Sequence, residues 1–468
     1  MNEAEAKGPG SAGLHGPGSA GLGGPGSAGL RPLKPPDATL RAPGSFPVYP
    51  GLADYLLSVT KHPDPSGVIP HVMATCSAYS YAGPMPHADP QTVRMIMERM
   101  GLQRNRCKAF EQRVDALFVA STAYLIQSED RRVAILCYRG TQPEDVISTL
   151  ADADVAPERL SIDLDGTEHY VHAGFYRNMR VTRYLVIEAL DRAVKGQSIL
   201  PEDGDDAGEK LQKLYITGHS LGGAMAALMA VVLVKEPAYA HIADKLEAVY
   251  TFGQPLIGDA GFARACEQAV DNRGVHVLRD RLLRYVYSRD AVPHLPPRPV
   301  GRYAPFGREF RYEKAMSPVN VAFSRLSDAV DELASLPGDI LETMSELLQG
   351  PQPSSAGPAY GSIGRDALRV GCFLPKQALR FMGAAARWAT SVPSQLPEGW
   401  HERTGAARSG SMQNLSGFTL VAPLAFFAVR LNLTRTLPFK YSFDDHMPTH
   451  YISRLAPSGV LSEFGDVR

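Results

Sequence analysis

Between a β-branched run and a long apolar segment the chain reads YITGHSLGGAMAALMA (Tyr215 to Ala230), in which Gly218, Ser220 and Gly222 make a G-x-S-x-G pattern. A serine so placed can act as a nucleophile. Forced into a tight strand-to-helix turn, it leaves no room for Cβ atoms two positions either side, and the turn lifts its hydroxyl clear of the backbone. The helix that follows aims its N-terminus at the same point, so the Leu221 amide can donate to a developing oxyanion. Serine is also a common helix N-cap, a role that explains the serine but not the paired glycines. A hydroxyl attacks only when a base takes its proton and an acid orients that base, and in this setting the partners follow as Asp or Glu and then His, each after a later strand. Asp290 stands two residues beyond the strand-like LLRYVYS, ahead of the prolines in AVPHLPP. Near the C-terminus, YSFDDHMPTHYISRL offers both His446 and His450 as the base.

The elements that must hold these residues are readable from the pattern of apolar positions. RRVAILCYRG (Arg131 to Gly140), KLYITG (Lys213 to Gly218), AVYTFG (Ala248 to Gly253) and LLRYVYS (Leu282 to Ser288) are short β-branched runs, each closed by a turn former. Phe175 to Val194 has helical spacing, and Ala224 to Val234 is apolar on nearly every side. Strand and helix in alternation predict an α/β chain, with a mainly parallel sheet covered on both faces. Such sheets bind ligands at the carboxyl ends of their strands, where Ser220 and Asp290 lie.

With 468 residues, 44% of them hydrophobic, the chain can bury a large core. A formal net charge of −1 with dispersed Lys and Arg argues against nucleic acid as a partner. The five cysteines, Cys76, Cys107, Cys137, Cys266 and Cys372, show no CxxC pair and no regular framework, so they read as reduced thiols. No HExxH, clustered Cys and His, acidic calcium loop or Walker-type phosphate loop is present, and neither a metal nor a cofactor is expected. Residues 8 to 31 repeat one octad three times, GPGSAGLH, GPGSAGLG and GPGSAGLR. That composition cannot bury a core and predicts a disordered tail over 1–48, ahead of a folded α/β domain over 49–468. The N-terminus lacks the basic start, apolar run and cleavage site of a signal peptide, which gives a cytoplasmic expectation, with leaderless export and peripheral membrane association left open.

Six motifs in order, CYRGTQ, VHAGFYRNM, YITGHSLGGA, TFGQPLIGD, YVYSRDAVPHLPP and DDHMPTHYI, together resemble the class 3 lipases, a family with the α/β-hydrolase fold. The resemblance implies Ser220 as nucleophile, Asp290 as acid and His446 as base. It also implies Thr141, in the RGT loop, as an oxyanion donor beside the Leu221 amide. The implied substrate is a lipid or small ester, cleaved by a serine hydrolase of the acylglycerol lipase type. The segment after the RGT loop departs from the family, with Val146 and Ile147 where an aromatic commonly falls in the lid.

Roughly 150 residues separate Asp290 from His446, too long for a plain loop, and predict an insertion over about 315–435. Val319, Phe323, Leu326, Val330 and Leu333 follow helical steps there. Lys376, Arg380 and Arg387 share a basic face that fits either a capping subdomain or contact with anionic lipid. Phe418 to Val429 is about 12 apolar residues broken by Pro423, short of the roughly 20 a membrane span needs. Two other readings stay open: a phospholipase acting on anionic membranes, and a lipid-binding protein that keeps a hydrolase fold without catalysis.

Overall fold

The structure is a computed structural model of the full chain. It describes residues 47–58, 67–83, 88–114, 119–140, 157–204, 206–271, 273–296, 303–313, 399–405, 408–410 and 444–457, with positions 63, 65, 442 and 460 besides. The octad repeat, Thr141, the Val146–Ile147 segment, the expected helices from Val319 to Arg387 and the apolar run from Phe418 lie outside the described residues.

Three helices open the described chain, α1 (Leu52–Ser58), α2 (Val68–Tyr79) and α3 (Pro90–Met100). An antiparallel pair follows, β1 (Arg106–Val114) and β2 (Val119–Gln127), and β2 runs antiparallel to β3 (Val133–Tyr138). From β3 onward the neighbours are parallel: β6 (Lys213–His219), β7 (Leu246–Phe252), β9 (Leu282–Tyr287) and β11 (Arg308–Tyr312). The strand β12 (Trp400–Arg403) closes the edge antiparallel to β11, giving the order β1-β2-β3-β6-β7-β9-β11-β12. A second, four-stranded sheet is built from β4 (Pro157–Arg159), β5 (Tyr170–His172), β8 (Gly258–Asp259) and β10 (Tyr303–Ala304). The strands expected from the β-branched runs are β3, β6, β7 and β9, and the expected helices are α4 (Ala173–Val194) and α5 (Leu221–Lys235). β12 falls inside the segment expected to be largely helical.

The sheet is buried on both sides, and the period of two along β3 shows how. Ala134, Leu136 and Tyr138 point into one core with α4 and α5, whereas Val133, Ile135 and Cys137 point into the other with α1, α2 and α3. This explains the near-continuous apolar runs of β3, β7 and β9, whose residues are all buried. Helix α5 is buried from Gly222 to Leu233, which accounts for its lack of a polar stripe. The second core also takes in Tyr451, Ile452 and Leu455 of α6 (Pro448–Leu455), so both ends of the described chain pack on one face of the sheet. Four cysteines, Cys76, Cys107, Cys137 and Cys266, are buried free thiols. Among the described residues no single helix is long and apolar enough to cross a membrane.

Candidate active site

Ser220 sits between the end of β6 and the start of α5, with φ at 59° and ψ at −131°. A non-glycine residue at positive φ costs on the order of 1–3 kcal/mol and persists only where its surroundings enforce it. Here the enforcement is close packing of backbone. A Cβ on Gly218 would lie 2.3 Å from the Gly222 carbonyl, and one on Gly222 would lie 2.2 Å from Tyr138 O on β3. The two glycines let α5 start directly against the ends of β3 and β6. Ser220 makes no side-chain cap for α5. The hydroxyl is therefore not spent on the helix end, and Leu221 begins the helix where an amide has no intrahelical acceptor.

Asp290 lies in the turn after β9 and His446 just before α6, and both are almost fully buried. His446 Nδ1 is 2.8 Å from Asp290 Oδ2 and 3.0 Å from Oδ1. The carboxylate also accepts from the Tyr451 hydroxyl at 2.5 Å and from the Val292 amide at 2.9 Å. Burial works to raise the Asp290 pKa, but the neighbouring His446 imidazole and these hydrogen bonds hold it below the ordinary carboxylate value. Burial, with Asp290 beside it, pushes the Tyr451 phenol well up, so Tyr451 stays a donor.

Local stitching explains how residues so distant in sequence meet. Asp290 and Ser442 form a parallel bridge, with Ser442 N donating to Arg289 O at 2.7 Å and Ala291 N to Ser442 O at 3.2 Å. The Arg289 amide in turn donates to Asp445 Oδ2 at 3.1 Å. Ser220 N donates to Phe252 O at 2.9 Å, next to Gly253 at the end of β7. A Cβ on Gly253 would stand 2.8 Å from Asp290 Oδ2 and 2.8 Å from His446 Nδ1. Gly253, at φ 58°, is thus the point where the serine turn and the Asp290–His446 pair come together. His446 Nε2 is buried and has no hydrogen-bond partner among the described residues. A buried ring nitrogen left unpaired while its other nitrogen is held by a carboxylate is free to accept a hydrogen bond from a group brought up to it.

Of the two histidines that spacing left open, His446 meets Asp290. His450 stacks on Tyr287 with ring centroids 5.0 Å apart and has Nε2 3.7 Å from Asp444 Oδ2. Asp444, Asp445 and His450 could offer one ligand atom each to a cation, all within 4.8 Å of one another, but Asp445 already accepts from Arg289. The other motif histidines are packing or hydrogen-bonding groups in the geometry: His172 stacks on Phe175, and His294 Nδ1 lies 2.9 Å from Gly410 O.

Residues 135–300 match the family model described as Lipase (class 3). Over this part the chain is similar to the class 3 lipases. The α/β-hydrolase fold expected of a class 3 lipase is the one observed, a mostly parallel central sheet with helices on both faces. Lipase ZK262.3 of Caenorhabditis elegans is 41% identical over 83 residues, covering 18% of this chain and 20% of the relative. The lipase of Rhizopus niveus is 26% identical over 217 residues, covering 45% and 46%. Triacylglycerol lipase OBL1 of Ricinus communis is 26% identical over 197 residues, covering 36% and 35%. The chain therefore spans less than half the length of these curated relatives. Among solved structures, the Rhizopus microsporus var. chinensis lipase is 19% identical with a TM-score of 0.38, covering 64% of this chain and 86% of that one.

Reading the sequence missed three of the groups that shape this site: Gly253, Tyr451 and Tyr81, whose hydroxyl lies 2.8 Å from Nδ1 of His219 beside the serine. Gly253 carries a signal in principle, as a glycine closing a strand-like run, whereas the two tyrosines act across the fold and leave no local trace.

Proposed function

We propose that the chain is a serine carboxylic-ester hydrolase acting on acylglycerols through an acyl-Ser220 intermediate. The observation that carries the reading is the buried, unpartnered Nε2 of His446, with its Nδ1 held by Asp290, at the end of the sheet where the Ser220 turn lies. In this mechanism His446 Nε2 takes the Ser220 proton as Oγ attacks the ester carbonyl carbon, and Asp290 stabilises the imidazolium that forms. The Leu221 amide and Thr141 receive the oxyanion, and collapse of the tetrahedral intermediate expels the alcohol with the proton returned from His446. Water, deprotonated by the same ring, then releases the fatty acid. Ser220 and His446 make no hydrogen bond with each other in this structure, and in substrate-free sites such bonds commonly form only in the substrate complex. The acylglycerol class is supported by relatives named triacylglycerol lipases, and a lipid surface follows as the setting for such a substrate.

The test is turnover of p-nitrophenyl esters of graded chain length by wild type, Ser220→Ala, Asp290→Asn, His446→Ala and His450→Ala. Loss of about 10³-fold or more is expected for the first three variants and near-wild-type rates for His450→Ala. A folded wild type that neither cleaves any ester nor reacts with a fluorophosphonate would overturn the reading in favour of a binding protein.

A further inference from the structure

His219, the residue before the serine, is buried with both ring nitrogens engaged. Its Nε2 lies 2.7 Å from the backbone carbonyl of His446, which can only accept, so Nε2 carries a proton. Its Nδ1 lies 2.8 Å from the Tyr81 hydroxyl. A charged ring could satisfy both contacts by donating twice, but the site disfavours that state: complete burial first, then a second imidazole, His446, with ring centroids 4.5 Å away, hold His219 down to about 3. Tyr81 therefore donates to a bare Nδ1 and selects the neutral tautomer that donates to His446 O. The same hydroxyl borders the oxyanion loop. A Cβ on Gly140 would be 2.4 Å from Tyr81 Oη and 3.2 Å from Ser220 Cβ.

We propose that Tyr81 and His219 are positioning residues: Tyr81 fixes the tautomer of His219, and His219 holds the backbone of His446 so that its ring keeps its place between Asp290 and Ser220. The three groups reach the base from different elements. Tyr81 follows α2, His219 ends β6 and His446 precedes α6, so the relay ties the N-terminal helices to the base through one hydrogen-bonded line. The proposal rests on the reading of His446 as the base.

The experiment uses the full chain, with Tyr81→Phe, His219→Leu and His219→Gln, the last able to donate to the His446 carbonyl and accept from Tyr81 through its amide. Ester kinetics and imidazole ¹H–¹⁵N spectra are recorded at pH 7. A displacement of order 1 Å at a reacting group costs about 100-fold. His219→Leu should lower kcat by about that factor with KM unchanged, Tyr81→Phe by about 10-fold, and His219→Gln should recover most of the loss. In wild type His219 should show the neutral Nε2–H pattern, and the His446 Nδ1–H signal should move in Tyr81→Phe and His219→Leu. Unchanged kcat and an unmoved His446 signal in both variants overturn the proposal while leaving the hydrolase reading intact. An inert wild type overturns the hydrolase reading instead, and the His219 pattern and His446 signal then decide the positioning claim by themselves. Should His219→Leu not fold, Tyr81→Phe, which removes one oxygen atom, carries both readouts.

Discussion

At the scale of residues, the site depends as much on atoms that are missing as on those present. Gly218 and Gly222 make room for the serine turn, and Gly253 makes room for Asp290 and His446. The first two were legible because their spacing around Ser220 has a steric reason that a reader of the sequence can state. Gly253 was not, because what it clears space for lies 37 and 193 positions further along the chain, at Asp290 and His446. Its role gives a sharp expectation. In Gly253→Ala the new methyl meets Asp290 Oδ2 and His446 Nδ1 at 2.8 Å, and the residue is held at φ 58°. The pair must part or turn. Ester turnover should fall about 100-fold or more through kcat, and reaction of Ser220 with a fluorophosphonate should slow in step. A variant that folds and keeps wild-type kcat would mean that the acid–base pair has slack the packing does not suggest.

At the scale of elements, apolar runs announced β3, β6, β7 and β9 because a strand buried on both faces has to be apolar throughout. Two charged residues break that rule, Glu247 in β7 and Arg284 in β9. Arg284 in the middle of β9 is fully buried, pairs with Glu309 on β11, and donates to Gln254 O at 2.8 Å and Pro293 O at 2.7 Å. Glu309 in turn accepts from the Ser409 amide at 2.8 Å and hydroxyl at 2.9 Å. A guanidinium has enough donors to close the loop after β7, the loop after Asp290 and the next strand at once. The charge is compensated inside the sheet, so burial of the run survives it. In sequence Arg284 looks like an interruption, and nothing near it names Glu309 or the carbonyls as partners. Arg284→Met leaves Glu309 buried without its cation and should cost about 3–5 kcal/mol in urea unfolding at neutral pH. Glu309→Gln, which retains acceptor and shape, should cost less. Equal and small losses in both would show that the pair contributes little to holding the two loops.

At the scale of the whole molecule, the alternation of strands and helices carried the fold class, but the way the chain ends meet did not appear in any window. The segments carrying Asp290 and His446 are joined by backbone pairing between Asp290 and Ser442, and α6 packs in the same core as α1 to α3. Such long-range pairing depends on topology and not on local propensity. It also places a histidine where burial becomes a global property. His219 lies among Tyr81, His446, Tyr451 and Asp290, and its folded pKa is lowered from 6.5 to about 3. Between those values the unfolded chain binds a proton at this position and the folded chain does not. Stability then rises with pH across the window, and it falls as the pH drops from about 6.5 toward 3. One proton corresponds to about 1.4 kcal/mol per pH unit, or about 2 kcal/mol lost by pH 5 relative to neutral pH. His219→Gln has no proton to gain in either state. Urea unfolding of wild type and His219→Gln, each referred to its own value at pH 7.5, should therefore diverge below pH 6.5, with the wild type falling more steeply. Because every other carboxylate and histidine is common to both proteins, parallel curves could only mean that His219 titrates alike in the folded and unfolded chains, and that its burial beside the base does not keep it neutral.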